Sequence, residues 1–384
     1  MRILILGSGM MGNAAAFFLS GKKQIDEIIL ADRDLERPES IAREYNSKKI
    51  KPVAFDAKDS VRIRELMENC QVAIGATSYE HNLLYTDIAI DSGCSFIDLG
   101  GNHDVVDQQF ARTDEAKKAG VTIIPDCGLA PGFVNILSAK AIDELDETDS
   151  IQIRVGGVPI DPLPPLNYCL LFNARGLINE YIEKSRIIKD GKITIVDSMD
   201  GLETIHFPDP FGEMEAFFTS GGISTLTKTL RDNVKNLDYK TIRYPGHQKY
   251  IKFLIEMGFT GSDPIDYEGG KIVPRNVLER ILENNLKSNA SDAILLRVTA
   301  TGTDIGFKTI FTQEVIDFYD VENHLTSMMR MTAFPCAIIA LMIANGDISK
   351  KGVLCQEKSI PLDIFFKNLE DANIRISNRK QRIE

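Results

Sequence analysis

MRILILGSGMMGNAAAFFLS (residues 1–20) and EIILAD (27–32) decide the fold of this chain. Ile3–Leu6 is a short continuous apolar run, the pattern of a strand covered on both faces. Gly7-Ser8-Gly9-Met10-Met11-Gly12 interrupts it, and the alanines and phenylalanines that follow suit a helix. A G-x-G-x-x-G spacing alone is weak. Here it follows the first strand and opens a helix, and Asp32 ends a second strand about 20 residues after Gly12, which together make a dinucleotide signature. Gly7 permits the tight turn, Gly9 lets backbone approach a pyrophosphate, and Gly12 lets helix pack closely on strand. The pyrophosphate then rests on free N–H groups at the positive end of the helix, so Ser8, Met10 and Met11 join the three glycines as cofactor-binding candidates. Asp32 is expected to accept hydrogen bonds from both ribose hydroxyls and to repel a 2′-phosphate, favouring NAD over NADP. The adjacent Arg33 keeps NADP open, since it can hold that phosphate or stack on adenine.

Working outward, strands are expected at Arg2–Leu6, Glu27–Ala31, Pro52–Phe55, Gln71–Ala76, Ser95–Leu99 and Val121–Pro125, with helices between them such as Asp59–Met67 and Glu80–Ser92. Strands alternating with helical crossovers predict an α/β Rossmann domain, a doubly wound parallel sheet in the order 3-2-1-4-5-6. Ligands of such sheets bind beyond the carboxyl ends of the strands. Ala76-Thr77-Ser78-Tyr79, Asp98-Leu99-Gly100-Gly101 and Pro125-Asp126-Cys127-Gly128 are therefore the candidate list, with Ala76, Thr77 and Gly100 assigned to the cofactor.

Beyond Pro125 the pattern changes. Ala130–Leu145 suggests a helix with Pro131 in its first turn. Longer alternating strands follow at Ile151–Gly157, Ile193–Asp197, Ala293–Thr301 and Thr309–Tyr319, with Asp190-Gly191 and Thr301-Gly302 as hairpin turns. Helices are expected at Asn323–Asn345, ended by Gly346, and at Pro361–Ala372. The division is a Rossmann domain at 1–128, an α+β domain with a mostly antiparallel sheet at 129–322 for substrate and dimerisation, and C-terminal helices at 323–384 packing back on the first domain.

Composition bounds the function. Of 384 residues 43% are hydrophobic and 26% charged, with a net charge of 44 − 55 = −11. That balance suits a globular chain and disfavours nucleic acid and anionic membranes, which need clustered cations. No stretch reaches the ~18–20 continuous apolar residues of a membrane span, and TAFPCAIIALMIANG (332–346) suits a buried helix. The six cysteines lack C-x-x-C spacing, which points to a reducing, cytoplasmic compartment and to Cys127 as packing. No cluster has metal-ligand spacing. A homodimer or larger homo-oligomer is the expected assembly.

PDCGLAPGFVNILS (125–138), VGGVPIDPLPPLNY (155–168), EAFFTSGGISTL (215–226) and KTIRYPGH (240–247) resemble the saccharopine dehydrogenase-like family, nearest its lysine 6-dehydrogenase branch, from Met1 to about Asn378. That branch implies NAD-dependent oxidation of the ε-amino group of lysine to 2-aminoadipate 6-semialdehyde, which cyclises to piperideine-6-carboxylate, with release of ammonia. The saccharopine reductase branch carries an Asp in G-L-D-P-G and an Arg in N-R-D-S. This chain has Ala130 and Gly221 or Gly222 there, and loss of an Arg removes a bidentate carboxylate clamp. The departure favours the smaller substrate.

Arg243 is the candidate for the substrate carboxylate, its fork matching that anion; an interdomain or surface salt bridge is the alternative. The Thr219–Gly222 turn, with Ser220 and Gly221, offers N–H groups to the same anion if it opens a helix through Leu226. His247 is a candidate general base or orienter, Asp126 a base or ammonium contact, and Tyr79 a third catalytic candidate. Asp98 and Tyr168 are substrate-binding candidates, and His103 a further histidine near the turn. His81, His206 and His324 are expected to be structural. Two other readings stand beside this one. The first is a saccharopine reductase or carboxynorspermidine synthase-type enzyme joining amine to carbonyl, which requires at least one more cationic group in the pocket and would be favoured by Arg154 or Arg175 beside Arg243. The second is a non-catalytic NAD-binding regulator.

Overall fold

A computed structural model describes residues 1–287 and 290–383. The chain divides into unit 1 (Met1–Lys140, Ile223–Thr225 and Met329–Arg375) and unit 2 (Ala141–Gly222, Leu226–Met328 and Ile376–Glu384).

Unit 1 holds strands β1 (Arg2–Leu6), β2 (Glu27–Asp32), β3 (Ile50–Ala54), β4 (Val72–Gly75), β5 (Ser95–Asp98) and β6 (Thr122–Ile124) in a parallel sheet ordered 3-2-1-4-5-6. The α/β doubly wound reading is thereby established. β1 lies centrally, Ile3 pairing with both Ile28 and Val72, and Ile3–Leu6 are 0% exposed on both faces of the pleat. Each paired, buried strand keeps its backbone satisfied while its apolar side chains leave water. A seventh strand, Gly352–Val353, extends the sheet beside β6; two residues are too few to show periodicity. The helix Ser60–Met67 is capped as expected, Asp59 accepting the Arg62 N–H. The next expectation needs correction. The helix after β6 begins at Phe133, not Ala130, because Gly132 has φ +123 and a side chain there would meet the Asp126 carbonyl at 2.6 Å. Pro131 therefore belongs to a turn.

Unit 2 is built on a nine-stranded sheet. Its main path runs Glu203–Phe207, Gly212–Phe218, Asn236–Arg243, Glu147–Pro159, Asp292–Asp304, Phe307–Phe318, Ser377–Arg382. All neighbours on this path are antiparallel except Asn236–Arg243 with Glu147–Pro159. Asp190 and Gly191, both left-handed (φ 50 and 72), close the hairpin Ser185–Lys189/Lys192–Val196, as a two-residue type I′ turn requires. Thr301-Gly302 is not a turn. It lies inside Asp292–Asp304, where the register against Glu147–Pro159 shifts, and a Cβ on Gly302 would lie 1.9 Å from the Glu147 carbonyl. The glycine serves close backbone approach, and the hairpin turns instead at Ile305-Gly306 (φ 49 and 76).

The long apolar helix runs Ser327–Asn345. It starts later than its periodicity suggests because the Asp292 carboxylate accepts the Ser327 and Met328 N–H groups at 2.7 and 2.9 Å. Gly346, at φ +83, ends it. At 19 residues it is long and apolar enough to cross a membrane by length and composition, yet 78% of its apolar window is buried within the protein, as a core helix is.

Candidate functional site

In unit 1 the glycines of the first turn act through space and dihedral angle. Gly7 has φ +107, and a Cβ there would meet the Ala76 carbonyl at 2.6 Å; one on Gly12 would meet the Gly7 carbonyl at 1.9 Å. Gly9 is exposed, caps the helix Met10–Ser20 with no side-chain acceptor, and its missing Cβ would meet nothing within 4 Å. First-turn N–H groups thus lie beside open space at the positive helix end, which fits a pyrophosphate. Asp32 Oδ2 accepts from the Ser8 N–H and Oγ at 2.7 and 2.8 Å, and Oδ1 from the Asp34 N–H at 3.1 Å. Partial burial works to raise its pKa, but these hydrogen bonds from Ser8 and Asp34 outweigh it and hold the carboxyl below its ordinary value. With three of about four acceptor positions taken, Asp32 has room for one ribose hydroxyl as it stands rather than two. Arg33 is exposed at its side. Ala76 and Thr77 follow β4, Thr77 Oγ1 bonding Tyr85 at 3.3 Å. The cradle fits a dinucleotide, and the chain binds NAD(P).

At the ends of β5 and β6 two carboxylates meet. Asp98 is 0% exposed. It accepts from the Gly100 N–H (2.8 Å), the Asp126 N–H (3.2 Å) and Gln109 (2.7 Å). The expectation that Asp98 contacts substrate is corrected here: its oxygens are committed to the strand ends. Asp126 differs. Its backbone is left-handed (φ 59), Oδ2 accepts from Ser224 Oγ, and Oδ1 is buried without a hydrogen-bond partner. Gly100 leaves room for that oxygen, since a Cβ there would lie 1.8 Å from it. Burial, then repulsion from Asp98, pushes the Asp126 carboxyl up to about 7; Ser224 and the Gly101 amide counteract this and Glu357 adds to it. The Gln356 amide donates to the Asp126 carbonyl at 2.8 Å, and Thr225 donates to Glu357 at 2.8 Å. Tyr79 packs beside Gly101, whose Cβ would lie 3.0 Å from the ring. Cys127 is fully buried, and burial raises its thiol pKa well above the usual value, so it packs rather than reacts. His103 opens the helix His103–Phe110 behind its cap Asn102.

In unit 2 Arg243 ends the strand Asn236–Arg243, 3% exposed. Its Nε–H donates to Tyr181 Oη at 3.0 Å, and Nη1 to the Ile242 carbonyl at 2.8 Å. The Tyr168 ring lies 4.7 Å beneath the guanidinium, a cation–π contact, and the buried Tyr168 hydroxyl has no partner. His247 Nδ1 faces the Leu166 carbonyl at 2.9 Å, and Nε2 faces Tyr181 Oη at 3.0 Å. A carbonyl only accepts, so Nδ1 carries the proton and Nε2 accepts from Tyr181. The chain runs Arg243 to Tyr181 to His247 to Leu166. Burial first, then Arg243, lowers the His247 pKa to about 3. So weak a base takes little part in proton transfer near neutrality; of the two roles set out for His247 this geometry fits orientation. Among the described residues Arg243 forms no ion pair.

The Thr219–Gly222 turn does not open a helix. The next helix is only Leu226–Thr229; the Ser220 N–H is spent on the Glu180 carbonyl at 2.9 Å, while Gly221 stands exposed at φ +83. Arg154 is held by Glu203 and Asp238 and Arg175 by Glu279 at 3.2 Å, so neither accompanies Arg243. Three residues went unread in the sequence: Ser224, Glu357 and Glu180. Glu180 was signalled weakly. It falls three after Leu177 and next to Tyr181, at the border of the buried face of the helix Ala174–Ile182.

Residues 3–124 match the family model of the saccharopine dehydrogenase NADP binding domain, and residues 128–374 that of the saccharopine dehydrogenase C-terminal domain. Carboxyaminopropylagmatine dehydrogenase of Synechocystis sp. is 23% identical over 394 residues, which cover 97% of this chain and 96% of that relative. The NADP(+)-dependent, L-glutamate-forming saccharopine dehydrogenase of Saccharomyces cerevisiae is 25% identical over 317 residues, 78% of this chain and 67% of the relative. The solved apo form of the L-Glu-forming saccharopine dehydrogenase from Saccharomyces cerevisiae shares the fold, with a TM-score of 0.82 at 21% identity and 99% of both chains covered.

Proposed function

This chain belongs to the saccharopine dehydrogenase family of NAD(P)-dependent oxidoreductases acting on carbon–nitrogen bonds, and from that premise we propose that it oxidises the ε-amino group of L-lysine. The products are 2-aminoadipate 6-semialdehyde, which cyclises to piperideine-6-carboxylate, and ammonia. The observation that carries this reading is Arg243: a buried guanidinium without an ion-pair partner among the described residues, with Arg154 and Arg175 paired elsewhere. One carboxylate clamp suits an amino acid with one carboxylate, whereas saccharopine-like substrates carry more. Asp32, a carboxylate held ionised, supports NAD over NADP because a 2′-phosphate would meet its charge.

The dinucleotide, when bound, accepts the hydride from the carbon bearing the nitrogen. The protein's own residues do the rest. Arg243, fixed by Tyr181 and His247, holds the carboxylate. In unit 1 Asp126, with its unpartnered Oδ1 and a pKa raised to about 7, matches a base working near neutrality; an amine that gives up its proton gains the nitrogen lone pair that assists hydride loss. Water then adds to the resulting iminium carbon, and the C–N bond breaks to release ammonia.

Incubation with NAD and L-lysine at alkaline pH, following reduced-nicotinamide absorbance and released ammonia, tests the proposal. Turnover with saccharopine and not with lysine overturns it. That second reading, an enzyme joining or splitting an amine and a carbonyl compound, is supported by the name of the near-full-length Synechocystis relative, and parallel assays with both substrates and both dinucleotides separate the two.

A further inference from the structure

Arg243 does not stand alone in unit 2. Glu180 lies in the helix Ala174–Ile182, one residue before the tyrosine that holds Arg243. It is half-buried, and its charge acts on Arg243 and on Tyr168, Tyr181 and Tyr239. Among the described residues its carboxylate accepts no hydrogen bond and forms no ion pair. The opposite charges therefore face one aromatic cluster without neutralising each other. Tyr168 adds a buried hydroxyl that lacks a partner. Arg243, 3% exposed, is a desolvated charge left unpaired, which is costly, and a polar cluster with open valences on both a cation and an anion is complete only with a ligand that supplies both opposite charges. An α-amino acid head does so, with carboxylate and ammonium on one carbon.

Resting on the lysine reading above, we infer that Arg243 and Glu180 form a zwitterion clamp, Arg243 taking the α-carboxylate and Glu180 the α-ammonium of a free amino acid. The assignment names a substrate class: ligands with an unsubstituted α-amino group beside the carboxylate. Burial raises the Glu180 pKa to about 7, Arg243 acting against this and Glu183 with it; an ammonium docked against the carboxylate restores the ionised form. Tyr239 feels the charges of both Glu180 and Arg243 and packs on Gly222. Gly222 is needed there, since a Cβ would meet the Tyr239 ring at 2.4 Å.

The test uses full-length protein with saturating NAD and equilibrium titration of two ligands lacking an ε-amine, L-norleucine and hexanoate. They differ in the α-ammonium alone. A charge-assisted contact of about 1.5–3 kcal/mol corresponds to about ten-fold or more in affinity, so norleucine should bind at least about ten-fold tighter. Glu180→Gln, which keeps the shape, should bring that ratio close to one by weakening norleucine and sparing hexanoate. Unchanged hexanoate affinity, which needs Arg243 in place in unit 2, reports that the variant is folded there. Equal binding of the two ligands to the parent, no detectable norleucine binding, or an unchanged ratio in Glu180→Gln overturns the clamp. The outcome is separate from that of the lysine assay. A Glu180-dependent norleucine preference without lysine turnover keeps the clamp and removes the ε-amine reading; lysine turnover with an unchanged ratio does the reverse.

Discussion

Ser224→Ala should move the acid limb of the pH–rate profile to higher pH. Asp126 works as a base only when ionised, so kcat/KM for lysine rises as pH passes through the Asp126 pKa, about 7, and falls again where the free lysine ε-ammonium deprotonates, near about 10.4. The Ser224 hydroxyl donates to Oδ2 and so favours the carboxylate. Removing it takes away a hydrogen bond to a charged acceptor, worth about 1.5–3 kcal/mol. At about 1.36 kcal/mol per pKa unit the Asp126 pKa climbs by about one to two units. The optimum narrows, since the alkaline limb belongs to the substrate and stays. The alanine keeps a Cβ, so the left-handed backbone at Ser224 (φ 38) is no more strained than before. The assay is initial rate at subsaturating lysine across the range, with NAD saturating. An acid limb that stays in place, or moves to lower pH, refutes the assignment of Asp126 as the titrating base.

Three further outcomes follow from the same geometry. Asp126→Asn should cut kcat for lysine by about 10²–10⁴-fold and also change stability with pH: a carboxyl whose folded pKa lies near 7 against about 3.9 unfolded loses stability as pH rises between those values, so the Tm gain of the variant over the parent should grow from about pH 4 to about pH 7 and then level off. Gly12→Ala places a Cβ 1.9 Å from the Gly7 carbonyl and should cost about 1–3 kcal/mol of stability while weakening dinucleotide binding by titration; unchanged NAD affinity would place the pyrophosphate elsewhere. Arg243→Ala should raise the KM for lysine far more than that for NAD, and comparable changes in both would remove Arg243 from the substrate.

Unit 1 was legible because its signals are local. The turn Gly7–Gly12, the acidic end of β2 and the apolar runs each report one stretch of chain, and parallel topology follows from their alternation. Errors arose where one residue type answers two physical needs. Gly302 resembles a turn glycine but gives its missing Cβ to the Glu147 carbonyl; Pro131 resembles a helix N1 residue but precedes a glycine that cannot continue a helix. The site was partly legible. Arg243 and Asp126 stand out by type and place. Ser224, Glu180 and Glu357 do not, because what distinguishes them is the desolvation and charge around them, properties of contacts between segments distant in sequence.

Asp126 and Glu180 show why that matters. Both carboxyls are pushed up to about 7 with burial as the leading cause, and on that figure alone they are interchangeable. Their neighbours separate them. The next influence on Asp126 is another carboxylate, Asp98, with Glu357 adding to it. A proton accepted there relieves repulsion and is held, which suits a base. The next influence on Glu180 is Arg243, which favours the charged form, so Glu180 is poised to stay an anion once a cation arrives. Lysine carries two ammonium groups, and its oxidation requires one to give up a proton and the other to keep it. Replacing Arg243 with Met should therefore raise the Glu180 pKa further and leave that of Asp126 in place. A variant in which the acid limb of kcat at saturating lysine, where the docked ammonium already holds Glu180 ionised, moves with Arg243 would show that the two carboxylates had been assigned in the wrong order.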